Sequence, residues 1–294
     1  MKLSGPGVSR KFYFIFKGML QTALYHYLRK ECDTVTDAYA TLQQAPGDAD
    51  AIHAMRVGVK KLRAFFSLAK QLPDYAFGAG KHLQTARLIQ TIGGASRDTY
   101  LQEKHLKEYE IKLSWRFSFA HLLLQHKQAT AKEMLQSTIK YCNLKKLGSL
   151  PERFRDATFD MDQTAATTAL RTYLQEQQQD IILPASRAHH TVWHEVRKTT
   201  KALYYQLSIM EQVLPASHTE TLIAHTKKAG ELLGQWHDTS ELLLFTKATI
   251  AQLKKEKITL PMKASRLVQL LQGDVKEQLA QCREEVKQLI AVSF

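Results

Sequence analysis

Residues 52–73 read IHAMRVGVKKLRAFFSLAKQLP, and this stretch indicates both the fold class and the candidate site. Placed on a helix at about 100° per residue, it separates into an apolar stripe and a neighbouring basic strip. The stripe consists of Met55, Val59, Leu62, Phe66 and Ala69. The strip consists of His53, Arg56 and Lys60, at i, i+3 and i+7, with Arg63 close beside them. The pattern predicts an amphipathic helix that presents long basic side chains next to the surface that it buries.

The same pattern occurs a second time, from residue 194, as HEVRKTTKALYYQLSIMEQVLP. His194, Arg197 and Lys201 follow His53, Arg56 and Lys60 at a constant spacing of 141 residues. A second block also recurs: residues 92–98 (IGGASRD) and residues 232–238 (LLGQWHD) share the form G-x-x-[R/H]-D at a spacing of 140 residues. Arg87 and Lys227 correspond to each other at the same spacing. We interpret the two blocks as an internal duplication. Duplicated chains usually fold as two similar halves about a pseudo-twofold axis, so we expect the two basic strips to face a common centre.

The whole chain carries helical signals, and no segment alternates with period two between turn residues. We expect an all-α protein built of two antiparallel helical bundles around a basic central channel. Residues 1–150 are expected to form the first helical half, and residues 151–294 the second half of the same domain. Helices are predicted near residues 11–43, 49–72, 78–92, 98–126, 129–147, 164–182, 188–213, 218–234, 239–256 and 263–291.

The composition favours an anionic partner. The 294 residues carry a formal net charge of +13 and have a pI of about 9.5. This excess is typical of proteins that bind nucleic acid, a phosphate polymer or an anionic membrane surface. The three cysteines, Cys32, Cys142 and Cys282, predict no disulfide framework and favour the cytoplasm. The apolar run at residues 12–16 is too short for a signal peptide or a membrane span.

The sequence contains little that indicates an enzyme. The sequence has no P-loop, G-x-G-x-x-G, G-x-S-x-G or H-E-x-x-H motif. His194, His237, Asp238 and Asp274 follow the H…HD…D order of metal-dependent phosphohydrolases of the HD class. The repeat argues against this interpretation, because position 237 corresponds to Arg97, and arginine does not ligate a metal cation. We therefore predict no catalytic residue, no metal and no cofactor.

Two pairs of residues keep alternative interpretations. His53 and His194 each begin a basic strip, so they either face a bound anion or pack against the helix beside them. Asp98 and Asp238 either cap helices that start after each glycine-containing break, or orient the basic strips as salt-bridge partners.

Together, the H-x-x-R-x-x-x-K helix, the G-x-x-[R/H]-D block and the second copy of both resemble the CHAD (conserved histidine α-helical domain) family over residues 11–290. The resemblance implies two helical bundles around a basic channel that binds inorganic polyphosphate. It also implies that the channel is lined by His53, Arg56, Lys60, Arg63 and Arg97 from the first half and by His194, Arg197, Lys198, Lys201 and Lys227 from the second. The second strip departs from the first, since Ala202 and Tyr204 stand at the positions of Lys61 and Arg63, and His237 replaces the commoner Arg or Asn.

The leading hypothesis is therefore a non-enzymatic polyphosphate-binding module. To the implied channel residues we add Arg87, which matches Lys227 in the repeat. The alternative is a helical protein that binds RNA or single-stranded DNA, which the net charge and the basic, aromatic residues 10–17 favour. The repeat is expected to place its cations in a concave centre. Duplex DNA needs a basic outer face, so this placement argues against duplex DNA as the partner.

Overall fold

The structure is a computed structural model that describes residues 19–74, 77–184, 189–211 and 217–292. These ranges contain helices and connecting loops but no strand. In chain order the helices are α1 (Met19–Gln44), α2 (Ala49–Ala69), α3 (Gly80–Leu113), α4 (Ser118–Tyr141), α5 (Lys145–Gly148), α6 (Leu150–Ala157), α7 (Gln163–Gln179), α8 (His190–Glu211), α9 (Ser217–Lys255) and α10 (Met262–Ala291). The all-α prediction is confirmed. The basic and aromatic residues 10–17 lie outside the described residues.

The helices that carry the repeated motifs pack against each other. Helices α1 to α4 pack on one another in chain order, and α4 also packs against α1. Helices α7 to α10 pack in the same consecutive manner. The two groups join where α2 packs against α8 and α3 packs against α9. The pseudo-twofold axis and the division at residue 150 stay predictions, and the short helix α6 packs on α1.

Helix α2 forms as its sequence predicts. The Asp48 side chain caps it by accepting a hydrogen bond from the Ala51 amide at 2.7 Å, and Asp50 adds negative charge in the first turn. All five residues of the predicted apolar stripe are buried. Each large aliphatic or aromatic side chain in such a stripe stabilises the fold by about 1.5–3 kcal/mol relative to exposure. The stripe therefore fixes the direction in which the basic strip points.

Helices α3 and α9 are continuous where the sequence predicted helix breaks, at the glycine-containing blocks. Both run without interruption through Gly94 and Gly234, so Asp98 and Asp238 are interior helical residues and not caps. A Cβ atom at Gly94 would overlap the guanidinium of Arg56. The glycine that resembles a helix breaker in the sequence instead leaves room for the guanidinium of Arg56 against α3.

A second correction concerns the end of α3. The predicted helix over residues 98–126 spans a real boundary, because α3 ends at Leu113 and α4 begins at Ser118. Ser114 closes α3 with a φ of 46°, in the left-handed region, and its amide bonds to the last turn. Glycine usually occupies such a position, and the serine here left no signal in the sequence.

Two clusters of buried apolar side chains hold the helices together. The larger cluster contains residues of both predicted halves, including Leu62 and Phe65 of α2 and Leu203 and Leu207 of α8. The smaller cluster joins the far ends of α3, α4, α9 and α10 around Leu106. The packing of α2 on α8 is thus part of a shared core. None of the described helices is long and apolar enough to cross a lipid bilayer.

Candidate functional site

A basic cavity lies along the contact of α2 and α8. It has a volume of about 640 Å³, and six basic side chains and no carboxylate line it. These side chains are Lys60 and Arg63 from the first motif, and His194, Arg197, Lys198 and Lys201 from the second. The structure thus brings side chains of both sequence motifs together in one concave surface.

Lys60 shows how closely the two strips approach each other. Its pKa is lowered to about 8, first by burial and then by the positive charges of Arg56, Lys201 and Arg197. Two of these three charges belong to the second motif. The cations therefore repel one another across the contact of α2 and α8, and an anion in the cavity would offset that repulsion.

Arg197 offers an unused hydrogen-bond donor in the same place. Burial lowers its pKa, whereas Asp238 and Asp98 act in the opposite direction. Its Nε atom is buried and has no hydrogen-bond partner. Buried donors without a partner are uncommon in folded proteins, and a guanidinium donates well to phosphate oxygens. The pKa of Lys201, beside it, is lowered first by burial and then by Arg197.

The glycine-containing blocks hold the basic strips in position. Arg56 Nη2 donates to Asp98 Oδ1 at 3.2 Å, and Gly94 gives this guanidinium its space. The second copy has no such constraint, because a Cβ atom on Gly234 would lie at an ordinary contact distance of 3.7 Å from Lys201 Nζ. Asp238 is half-buried near Arg197 and Lys201, and its pKa is raised because burial outweighs the effect of these two cations. Asp98 is therefore a salt-bridge partner of the basic strip and not a helix cap.

The two motif histidines lie beside cations. His53 is exposed, and its pKa is lowered by partial burial and by Arg97, Lys60 and Arg56. His194 is half-buried, and its pKa is lowered by burial and by Lys198 and Arg197. Its ring centroid lies 5.0 Å from that of His237. Both imidazoles are therefore disfavoured as cations while no anion is bound.

Arg97, Lys227, Lys198 and Arg87 differ in their surroundings. Arg97 stacks its guanidinium over the Tyr100 ring at 5.1 Å, near His53. Lys227 lines an adjoining cavity of about 350 Å³, which also contains Lys201 and Asp238. Lys198 forms an ion pair with Glu195 at 2.8 Å. Arg87 is exposed on α3 and lines neither cavity.

Several polar lining residues were not identified from the sequence. Ser67, Gln177 and Gln206 line the larger cavity, and Tyr205 lines both cavities. Ser67 Oγ and Tyr173 Oη lie 2.9 Å apart, and Gln206 donates to the same Tyr173 oxygen at 3.3 Å. Ser67 stands seven residues after Lys60, on the same helical face, so this spacing could have identified it.

The H…HD…D residues do not form a metal-ligand group among the residues that the structure describes. Asp274 accepts a hydrogen bond from Tyr109 Oη, and Asp238 lies beside Arg197. The pKa of His237 is lowered to about 3, first by burial and then by Arg197, so its imidazole is neutral at neutral pH. The buried rings of Trp193 and Trp236 lie behind this region, with centroids 6.5 Å apart.

Comparisons with known proteins agree with this architecture. A profile of the CHAD domain matches residues 26–245. The crystal structure of the CHAD domain from the plant Ricinus communis is similar, with 16% identity and a TM-score of 0.64 over 94% of this chain and 92% of that one. PptA from Streptomyces chartreusis is also similar, with 17% identity and a TM-score of 0.59 over 92% of this chain and 98% of that one. No curated protein sequence matches significantly.

Proposed function

Because this chain belongs to the CHAD-domain family, which is associated with polyphosphate binding, we propose that it binds inorganic polyphosphate in the cavity between α2 and α8. One observation carries the proposal: Lys60 of the first motif shares a partly buried space with Arg197 and Lys201 of the second. A linear polyanion with regularly spaced charges complements such a converging set of cations, and it needs no base readout.

Electrostatics explains why the ligand is a polyanion and not a single small anion. Six basic side chains line the cavity, and Arg56 adds a further charge beside Lys60. Like charges about 8 Å apart repel by roughly 2 kcal/mol at an effective dielectric constant of 20. A chain of phosphates offsets many of these repulsions at once, and guanidinium and ammonium groups both donate to its oxygens.

The proposed role is binding without catalysis. The Asp98 carboxylate already pairs with Arg56, and the positive charge of Arg197 acts on Asp238. The lining of the larger cavity contains no carboxylate that could act as a general base.

The test compares three polyanions at one salt concentration: long-chain polyphosphate, single-stranded RNA and duplex DNA. We expect polyphosphate to bind tightest. The triple variant Lys60→Ala, Arg197→Ala and Lys201→Ala should weaken polyphosphate binding at least about 100-fold, because charged hydrogen bonds contribute about 1.5–3 kcal/mol each.

A matched control separates the site from the overall charge. Lys254, Lys255 and Lys257 are exposed at and just beyond the distal end of α9, and their replacement by alanine removes the same net charge. This control should change the affinity only a few-fold. Equal losses in the two triple variants would refute the cavity as the site. RNA binding as tight as polyphosphate binding would favour the nucleic-acid alternative.

A further inference from the structure

Three potential metal ligands converge at one end of the α8–α9 contact. His190 is the first residue of α8, and His237 and Glu241 stand one turn apart on α9. Each offers one ligand atom, and these atoms all lie within 4.8 Å of one another. All three residues are half-buried. The group shares only His237 with the H…HD…D order in the sequence.

One ring nitrogen of each histidine has no hydrogen-bond partner. His190 Nε2 and His237 Nδ1 are both buried and have no hydrogen-bond partner. Glu241 forms no ion pair with any residue in the described part of the chain. Buried polar atoms without partners need an explanation, and a bound ion is one of the established explanations.

The surroundings hold the ligands in place. The His190 ring lies against the buried Trp236 ring, with centroids 4.8 Å apart. The centroids of the His190 and His237 rings are 6.2 Å apart. Two imidazoles and one carboxylate are a ligand set that zinc accepts in sites with an open fourth position. In a tetrahedral site, ligand atoms lie about 3.3 Å apart, so side-chain rotations that draw them about 1–1.5 Å closer complete the geometry.

We propose that His190, His237 and Glu241 bind one divalent transition-metal ion of the Zn²⁺ class, with a fourth coordination position left open. The site is a property of the second copy alone, because Ala49, Arg97 and Leu101 stand at the corresponding positions of the first. Arg97 therefore excludes a metal site shared by both copies, but not one specific to the second. Arg197 and Lys201 lie near His237, so we expect micromolar affinity and not the tighter binding of structural zinc sites.

The experiment titrates tag-free, metal-stripped full-length protein with Zn²⁺ alone, in the absence of any polyanion. Calorimetry should show that one Zn²⁺ ion binds per protein chain. His190→Gln, His237→Gln and Glu241→Gln should each weaken that binding at least tenfold. Co²⁺ bound in place of Zn²⁺ should give the intense visible absorption of a four-coordinate site, and each of these three substitutions should abolish it.

Controls make the result decisive and independent of polyphosphate. His126→Gln and Glu133→Gln change exposed residues of α4 and should leave the stoichiometry and affinity of Zn²⁺ binding unchanged. Circular dichroism should show unchanged helix content in Glu241→Gln, the variant least involved in packing. Absence of a bound equivalent in the wild type, or equal losses in site and control variants, would overturn the proposal. Because no polyanion is present, failure of the metal site and failure of polyphosphate binding are observed separately.

Discussion

At the scale of single residues, the side chains that suit the cavity to a polyanion also make the free protein less stable. Lys60 is the clearest case, because its pKa of about 8 lies well below the ordinary lysine value of 10.5. A lysine with a lowered pKa in the folded state binds protons more weakly there than in the unfolded chain. Its cost to stability is therefore fully present below about pH 8, and it is relieved as the pH rises towards 10.5.

We predict that Lys60→Met raises the stability of the ligand-free protein at pH 7 by about 1–3 kcal/mol, since one pKa unit corresponds to about 1.4 kcal/mol. The gain should shrink as the pH increases from 8 to 10. Thermal unfolding across this pH range measures both effects. Lys104→Met, at an exposed position on α3, is the control and should change little. A gain that is independent of pH would mean that burial of the methionine, and not loss of charge, causes the effect.

His53 gives a second prediction at this scale. Its pKa is lowered by partial burial and by Arg97, Lys60 and Arg56, so the neutral imidazole is favoured in the free protein. A bound polyanion offsets these charges and raises the pKa, so binding takes up protons and tightens as the pH falls from 7 to 6. Calorimetry at pH 6.5 in buffers of different ionisation enthalpy measures this uptake. His53→Gln should reduce it, and His126→Gln should not. Unchanged uptake in His53→Gln would identify His53 as a packing residue.

At the scale of helices, the contact between Gly94 on α3 and Arg56 on α2 connects a backbone position to the charge of the site. A Cβ atom at Gly94 would displace the end of the Arg56 side chain, which is flexible, and so would break its bond to Asp98 without disturbing the core. We predict that Gly94→Ala weakens polyphosphate binding about three- to tenfold while changing the melting temperature little.

Gly273 is the matched control for this substitution. It also lies within a helix, α10, but a Cβ atom there would meet nothing within 4 Å. Gly273→Ala should therefore raise stability by about 0.5–1 kcal/mol through helix propensity and leave the affinity unchanged. Equal affinities of the two alanine variants would show that the position of Arg56 does not matter for binding.

The helices also show which features the sequence could predict. The apolar stripe of α2 depends on spacing within a few residues, so periodicity identified it. The breaks predicted at Gly94 and Gly234 were wrong, because both helices continue through these glycines; at Gly94 the missing side chain leaves room for Arg56 of another helix, which no local pattern shows. The grouping of His190 with Glu241 depends on the packing of α8 against α9, for which no local pattern exists.

At the scale of the whole molecule, the two basic strips act on one ligand if they share the cavity. Binding to the second strip is then intramolecular and has a high effective concentration. We predict that affinity rises steeply with polyphosphate chain length until both strips are spanned, and then levels off. Isothermal titration with a ladder of chain lengths measures this dependence and the stoichiometry.

Half-variants test the same coupling. Removal of Arg56, Lys60 and Arg63, or of Arg197, Lys198 and Lys201, should each cost a large share of the affinity. Their combination should cost little more, since one strip alone binds poorly. Two independent sites, with half the stoichiometry after either change and no length threshold, would show that the strips do not act on one chain.

The tryptophans next to His194 and His237 allow binding to be followed by intrinsic fluorescence. Trp193 and Trp236 each precede a histidine, His194 and His237, and both indoles are shielded from solvent. The third indole, Trp115, stacks on Phe117 beside the separate core cluster. Replacing Trp115 with phenylalanine would leave emission from the cavity region alone. Fluorescence intensity would then follow occupancy in unlabelled protein, and quenching by a paramagnetic ion such as Cu²⁺ would distinguish an ion beside His190 from a polymer beside Lys60.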